Sequence, residues 1–460
     1  MILGCFFLSS CGSDPVSIVE IDGWLLRASF SPDGNRIVVK YDTIRDKQEP
    51  EEGVEKVMDS FAVLTAPDWT PVFSYRSPYR IWRTYTCANP DIIIHTEDHY
   101  PEDTKSDLVF RSMTTGQEVS RISIDYEPGF PEYNRFHCDI EKDIAYIDAF
   151  ADRIVAVDGT NGTIITEYIT GEPVDYSEFR VQKAQDRLVR IDLQDDNIWI
   201  FRLSTGELLQ KVELHMDYLS ELWRDYDFVN ESTLVYANMG ERNGHTGTFL
   251  FVLDLDSREL VAEHFLGYYY LAGMASMDSE GRNLSVLLEA ADRSCWSAWV
   301  VDIVTGQSQM GIEPCVLDRG MLIPIPKQSI MIASDWSHPS GATQYFTAYS
   351  YPDYQVLAEG PAPSAYDEKI HVPNRKLLVM SSTFNDHFGV YNLDRLELVS
   401  DFHVCERLND VGLGGLSVDP SGRWALMICG GEKPSPLGIG SYPSGAGIAL
   451  VDLEHYRPAD

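Results

Sequence analysis

The sequence predicts an all-β chain whose four-stranded units form one closed ring, a β-propeller of about nine blades. Two turn signals alternate along the chain and repeat with a period of about 47 residues. Runs rich in Val, Ile, Leu, Phe and Tyr lie between the turns, as expected of short strands. No amphipathic run has the length and capping residues of a long helix.

The first turn signal is Thr-Gly, or a variant of it, between two apolar segments. It is clearest at residues 113–119, 203–209 and 303–307. Gly supplies the positive φ that a tight hairpin turn requires. Aligning the weaker copies gives equivalent positions at residues 69, 116, 162, 206, 258, 306, 354, 396 and 456.

The second turn signal precedes each of these positions by about 35 to 40 residues. It reads Ser-Pro-Asp-Gly within residues 30–39 and recurs at 277–284 and 418–426, with looser copies at 229–235 and 372–378. Each unit is therefore a strand, a tight turn, a strand, a longer loop, a strand, a tight turn and a strand.

These two turns together resemble the YVTN-type and quinoprotein-like propellers of bacteria, which are similar to WD-repeat proteins. The resemblance extends from Val16 to Pro458 and implies a fold rather than a reaction. The Gly-His and Trp-Asp pairs of WD repeats are absent. The Trp that ends quinoprotein repeats is also absent, which argues against a quinone-dependent dehydrogenase.

The last unit supplies only three strands, within residues 416–418, 424–428 and 447–453. Residues 16–24 alternate like a strand and are expected to complete this unit as its outermost strand. Such closure removes exposed sheet edges. Eight blades, with one unit misread, is the alternative, and two smaller propellers are less favoured because no linker interrupts the period.

The N-terminus predicts export. Residues 2–8 are apolar, and Leu8-Ser9-Ser10-Cys11 resembles the bacterial lipobox, in which the cysteine is lipidated and becomes the first residue. The predicted divisions are a signal segment (1–10), a tether (11–15) and the propeller (16–460). The apolar run is short and no Lys or Arg precedes it, so the true start lies elsewhere or the match is accidental. A buried N-terminal strand is the alternative, and residues 12–15 argue against it.

Charge excludes one class of partner. The chain has 36 basic and 71 acidic residues and a formal net charge of −35. Because phosphate backbones repel such a polyanion, no nucleic-acid partner is expected. The chain is expected to be monomeric and to contact a membrane only through its lipid anchor.

One face of the ring is predicted to carry function. Successive strands reverse direction, so the longer loops and the links between blades share a face, and the tight turns occupy the other. The longer loops lie within residues 43–59, 98–106, 240–247, 335–343, 384–388 and 430–445. Loops on a rigid scaffold commonly carry binding residues. The candidates are Trp223, Tyr226, Tyr268, Tyr269, Tyr270, Trp336, His338 and His387. The alternative for each tyrosine is packing between blades.

No catalytic, metal or cofactor site is predicted. The chain lacks a Gly-x-Ser-x-Gly elbow, a phosphate loop and a zinc-protease helix. His338 and His387, beside Asp335 and Asp386, are the only loop histidines on adjacent blades, and polar loop residues are the preferred interpretation. The group Asp192, Asp195 and Asp196 lacks the glycine and terminal glutamate of a calcium loop.

Six cysteines remain outside the leader and the lipobox. Cys295 and Cys315 are predicted to reach the same face, as are Cys405 and Cys429, and both pairs could bridge in an oxidising compartment. Cys87 and Cys138 occupy similar places on neighbouring innermost strands and form a third candidate pair. Buried free thiols are the alternative for all three pairs.

The leading hypothesis is a non-enzymatic propeller lipoprotein, at the periplasm or cell surface, that binds a protein or glycan through its loop-rich face. The alternative is a hydrolase or lyase that acts on a carbohydrate or lactone at the mouth of the channel. This alternative requires convergent carboxylates, at least one with a raised pKa.

Overall fold

A computed structural model describes residues 16–21, 24–42, 59–125, 135–334 and 344–456. Short gaps inside these ranges fall at residues 67, 78, 80, 82–83, 100–104, 151, 173, 175–176, 194, 215–216, 219–223, 268, 277–280, 291–295, 318–320, 326–327, 363–367, 382–386, 406–410 and 435–440. The described residues form nine antiparallel sheets arranged as the blades of a propeller.

Strand β1 (Val16–Ile21) precedes the first blade along the chain. Each of the next four blades contains four consecutive strands. Blade 1 comprises β2 (Trp24–Phe30), β3 (Arg36–Asp42), β4 (Asp59–Thr65) and β5 (Thr70–Arg76). Blade 2 comprises β6 (Thr84–Thr86), β7 (Ile92–Asp98), β8 (Lys105–Ser112) and β9 (Glu118–Asp125). Blade 3 comprises β10 (Arg135–Asp139), β11 (Ile144–Phe150), β12 (Arg153–Asp158) and β13 (Ile164–Ile169). Blade 4 comprises β14 (Ser177–Gln182), β15 (Arg187–Asp192), β16 (Asn197–Arg202) and β17 (Leu208–Glu213).

In blade 5 two strands share the innermost position, β18 (Asp217–Tyr218) and β19 (Arg224–Asn230), followed by β20 (Thr233–Arg242), β21 (His245–Asp254) and β22 (Glu259–Gly267). Blade 6 comprises β23 (Tyr269–Ser276), β24 (Asn283–Ala290), β25 (Trp296–Asp302) and β26 (Ser308–Leu317). Blade 7 comprises β27 (Met321–Ile325), β28 (Ile330–Ser334), β29 (Gln344–Ser350) and β30 (Val356–Ala362). Blade 8 comprises β31 (Glu368–Val372), β32 (Leu377–Ser381), β33 (His387–Asn392) and β34 (Glu397–His403).

Blade 9 closes the ring. Its chain-terminal strands are β35 (Val411–Val418), β36 (Trp424–Pro434) and β37 (Ser441–Asp452), and β1 pairs with β37 as the outermost strand. Val16 lies opposite Val451 and Ile21 opposite Ala446. The predicted nine blades and the closing N-terminal strand are confirmed. The expected strand 16–24 was too long, because Trp24 begins β2.

Helical structure in the described residues is limited to single turns of 3₁₀ helix, such as Lys183–Gln185, Pro373–Arg375 and Leu453–Tyr456. None of the helices in the described part of the chain has the length and apolar character needed to cross a membrane.

The turn alignment made from the sequence corresponds to one backbone conformation. Eight of the aligned positions have positive φ, between +49° and +76°. Glycine occupies four of them, at Gly116, Gly162, Gly206 and Gly306, whereas the others are Trp69, Arg258, Tyr354 and Leu396. A left-handed non-glycine residue costs about 1 kcal/mol. The same turn conformation is therefore present at four positions that lack glycine.

A β-bulge follows this turn in seven blades of the described chain. The outermost strand there has one residue more than its neighbour, and that residue is aliphatic every time. The inserted residues are Val72, Val119, Ile165, Leu209, Val261, Leu357 and Val399. A bulge increases local twist, which blades need in order to fan out around a ring.

The core lies between neighbouring blades. Every residue of β15 is buried, because a blade covers each face of this second strand. One apolar cluster joins Val189 and Ile200 of blade 4 to Leu234 and Phe251 of blade 5. The outermost strand β5 instead alternates between exposed and half-buried residues.

Two of the predicted disulfides are present, Cys87–Cys138 and Cys405–Cys429, with Cα–Cα distances of 5.3 and 5.4 Å. The first joins the residue that follows β6 of blade 2 to β10 of blade 3, and the second joins the link after blade 8 to β36. Cys295 lies outside the described residues, and Cys315 is in β26 without a described side chain. The Cys295–Cys315 pairing stays a prediction.

We expect removal of either disulfide to lower the free energy of unfolding. The bridges close loops with sequence separations of 51 and 24 residues, and loop-closure entropy gives losses of about 4 and about 3 kcal/mol. The double variants Cys87→Ser/Cys138→Ser and Cys405→Ser/Cys429→Ser serve as mutual controls in denaturant unfolding. Equal stability of oxidised wild type and both variants would contradict the prediction.

Candidate binding site at the channel mouth

Strand direction gives the ring two different faces. The hairpins between second and third strands and the links between blades lie on one face, here called the loop face. The tight turns between first and second strands and between third and fourth strands lie on the other, the turn face.

Two hairpins extend beyond their blades on the loop face. In blade 5, β20 and β21 have 10 residues each and meet at Asn243–Gly244, both with positive φ. In blade 9, β36 and β37 have 11 and 12 residues. These blades lie four steps apart around a ring of nine, so the two hairpins stand on nearly opposite sides of the ring.

The residues predicted to form the binding face are only partly described. Tyr226 is half-buried in β19, and its ring packs edge-on against Phe228 with centroids 5.9 Å apart. Tyr269 is half-buried in β23, 6.0 Å from the Trp299 ring. Tyr270 and His387 are in β23 and β33, but their side chains are not described. Trp223, Tyr268, Trp336 and His338 lie outside the described residues. Both described tyrosines also contact a neighbouring blade, Tyr226 through Glu178 of blade 4 and Tyr269 through an apolar cluster that includes Leu250 of blade 5.

A buried ion pair links blades 3 and 4 near the loop face. Arg190 Nη2 donates to Asp148 Oδ1 at 2.8 Å, and the two side chains are 1% and 4% exposed. Ser177, at the start of innermost strand β14, accepts from Arg190 Nε at 3.1 Å and donates to Asp148. Breaking such a pair leaves an uncompensated buried charge and typically costs about 3–5 kcal/mol.

The next residue continues this linkage to blades 5 and 6. Glu178 accepts a hydrogen bond from the Tyr226 hydroxyl. On the same strand as Tyr226, Asp225 Oδ2 accepts the backbone N–H of Met274 of blade 6 at 2.8 Å. Innermost strands of three consecutive blades are thus joined by side chains. A ligand that displaced any of these contacts would remove a connection between neighbouring blades.

Among these linking residues, Asp225 has a strongly shifted pKa. Burial, together with the smaller effect of the negative charges of Asp227 and Glu178, raises the pKa of its carboxyl group to about 7. The Met274 N–H opposes this shift because it stabilises the carboxylate. A carboxyl group with this pKa can both accept and donate a proton near neutral pH.

A second polar network joins blades 1 and 2. Glu97 accepts from the Tyr75 hydroxyl at 2.6 Å, from Ser77 Oγ at 3.1 Å and from Arg121 Nη1 at 2.9 Å. Arg121 also donates to Asp107. Burial alone would raise the pKa of Asp107, but the hydrogen bond and charge of Arg121 outweigh it and lower the pKa.

This network reaches the loop face at His99. Its Nε2 lies 3.1 Å from Asp107 Oδ2, and its ring stacks on Tyr79 with centroids 3.8 Å apart. His99 was not among the candidate residues predicted from the sequence. The available signal was the run of polar residues at the end of an otherwise apolar strand, Ile92–Asp98.

Within the described residues, no group of three or more His, Cys, Asp or Glu side chains is placed to hold a metal ion. The possible ion site at His338 and His387 includes residues beyond those described. In the aspartate group, Asp192 accepts the N–H of Asp195 at 3.2 Å. Asp196 accepts from Tyr236 and from the Asn238 amide, so its oxygens serve the contact between blades 4 and 5.

No protein-family model matches the sequence, and no curated protein resembles it at the sequence level. Solved structures resemble it in fold. A eukaryotic initiation factor has a TM-score of 0.51 at 9% identity, covering 84% of this chain and 90% of that one. The C-terminal WD40 domain of Sif2 has a TM-score of 0.46 at 10% identity, covering 94% and 97%. BamB from Moraxella catarrhalis has a TM-score of 0.42 at 10% identity, covering 79% and 97%. At these identities the likeness shows the propeller fold alone.

The raised pKa of Asp225 predicts a pH-dependent stability. Its folded pKa of about 7 exceeds the value of 3.8 of an unperturbed aspartate, so the folded state binds more protons between these values. The free energy of unfolding therefore falls as pH rises from 4 to 7. We expect Asp225→Asn to weaken this fall by a few kcal/mol relative to wild type.

Denaturant unfolding at pH 5 and pH 8 measures this difference. The control is Glu241→Gln, which alters an exposed carboxylate on the raised hairpin of blade 5. The same pH dependence in wild type and Asp225→Asn would show that Asp225 ionises normally.

Proposed function

We propose that this chain is an exported lipoprotein, anchored through Cys11, that binds a protein or glycan partner at the loop face. The observation that carries the proposal is the asymmetry between the faces. The turn face repeats one tight turn with one backbone conformation, whereas the loop face has two raised hairpins and polar networks that join neighbouring blades. Variation confined to one face of a rigid scaffold is typical of a binding surface.

The disulfides support the exported location. Both bridges connect separate elements of the ring, and structural disulfides persist in oxidising compartments such as the periplasm. The lipobox-like Ser-Cys at residues 10 and 11 supports the anchor. The net charge of −35 favours a neutral or basic partner over an anionic one.

The partner-binding proposal predicts face-specific loss of binding. The variant Trp223→Ala/Trp336→Ala removes two large aromatic side chains predicted on the loop face, and we expect it to lose captured partners. Purified protein is immobilised, exposed to a periplasmic extract and to a glycan array, and analysed for bound species. The control is Val304→Ala, an exposed apolar residue in a turn. Equal capture by both variants and wild type would argue against the loop face.

A second candidate function is hydrolysis or elimination on a carbohydrate or lactone. The observation that favours it is Asp225, a carboxyl group with a pKa of about 7 that senses the charges of Glu178 and Asp227. Pairs of carboxylates with different pKa values can supply a general acid and a general base.

This candidate predicts that Asp225→Asn abolishes turnover of chromogenic glycosides or lactones by the purified protein. Asp256→Asn, which alters an exposed carboxylate at a turn, is the control and should retain turnover. If the wild-type protein turns over none of a panel of such substrates, the enzymatic function is contradicted and the binding proposal is unaffected.

A further inference from the structure

The bulged outer strands expose aliphatic side chains at one height around the ring. In five blades the inserted residue is 39% to 56% exposed. We define the aliphatic belt as these five residues: Val72, Val119, Ile165, Val261 and Leu357. Single exposed apolar residues are normal in proteins. Recurrence at the same structural position in blades 1, 2, 3, 5 and 7 makes the belt a repeated feature of the circumference rather than a set of unrelated exposed residues.

Neighbouring positions widen the belt. Each inserted residue comes three positions after the positive-φ turn residue, so the belt lies beside the turn face. Other exposed apolar residues near this end of the outermost strands are Ile164, Leu208, Leu260, Met310 and Val356. Two further exposed apolar residues, Ile140 and Val304, lie in the turns themselves.

The described chain starts at this same edge. Val16 is the first residue of outermost strand β1 and pairs with Val451, one residue before β37 ends at the turn face. Five peptide steps separate Cys11 from Val16, so even a fully extended chain spans no more than about 18 Å. A lipid on Cys11 therefore tethers the turn-face rim, rather than the loop face, close to a bilayer.

We propose that the turn-face rim rests on the bilayer through the aliphatic belt, with the loop face directed away from the membrane. This inference depends on the lipid anchor of the proposed function. The aliphatic side chains would enter the interfacial region, where apolar burial is favourable. The net charge of −35 opposes contact with anionic lipid, so the belt fits a zwitterionic surface.

Depth-dependent quenching tests the orientation. A fluorescent amino acid replaces Val119 of the belt in one acylated sample and Asn243 of the loop face in another. Both samples are reconstituted on zwitterionic vesicles that contain a headgroup quencher. We expect quenching of the probe at position 119 and little at position 243. The opposite pattern, or equal quenching at both positions, would overturn the proposal.

A second measurement separates the belt from the anchor. In full-length chain carrying Cys11→Ser, the five belt residues are replaced by serine, and partition onto zwitterionic vesicles is measured. We expect a loss of about tenfold or more relative to the Cys11→Ser parent. The matched control replaces Ile169 and Phe265, exposed apolar residues farther from the turns on their strands, and should bind like the parent.

The outcomes distinguish the two proposals. Mass spectrometry shows whether Cys11 is acylated in the cell, and an unmodified cysteine contradicts the lipoprotein. An acylated protein whose belt substitutions leave vesicle partition unchanged contradicts the belt alone. If the substitutions instead convert a dimer to a monomer in sedimentation, the belt is an interface between copies and the membrane proposal is overturned.

Discussion

In a ring of radial sheets, each blade is buried only by its two neighbours, so the first and last blades need each other. Strand β1 supplies the outermost strand of blade 9 and leads directly into blade 1. The apolar cluster at this junction contains Val19 from β1, Phe30 and Ile37 from blade 1, and Ile448 from blade 9. Without this strand, two blade surfaces and a sheet edge would face water. The separation of loop face from turn face follows from the closed ring.

The fold was predictable because its signals are local and repeated. The alignment of weak turns located eight residues with positive φ, including Tyr354 and Leu396, where no glycine marks the turn. The regular spacing of the turns identified these two turns, although their residue types are not typical of a turn. Strand lengths were less predictable, since the extensions of β36 and β37 depend on hairpin pairing beyond the blade.

The candidate site was predictable only in location. Arg190 and Asp148 are 42 residues apart, and neither is unusual in a chain with many charges. Their pairing depends on blade 4 packing against blade 3. The pKa of Asp225 likewise depends on burial and on Glu178 of another blade. The ion pair and the shifted pKa both arise from contacts between repeats. The sequence period, in contrast, predicts only the strands and turns within each repeat.

The two faces differ because their chain segments have different constraints. A tight turn must reverse the chain within a few residues, and a Cβ at Gly206 would lie 2.2 Å from the Glu167 carbonyl oxygen of the neighbouring blade. The turn face therefore has little freedom to change. A hairpin between second and third strands can lengthen outward, as β20 and β21 do, without disturbing the buried pairs below it. Specificity for a partner can thus accumulate on the loop face, while the turn face and its bulged rim keep one geometry around the ring.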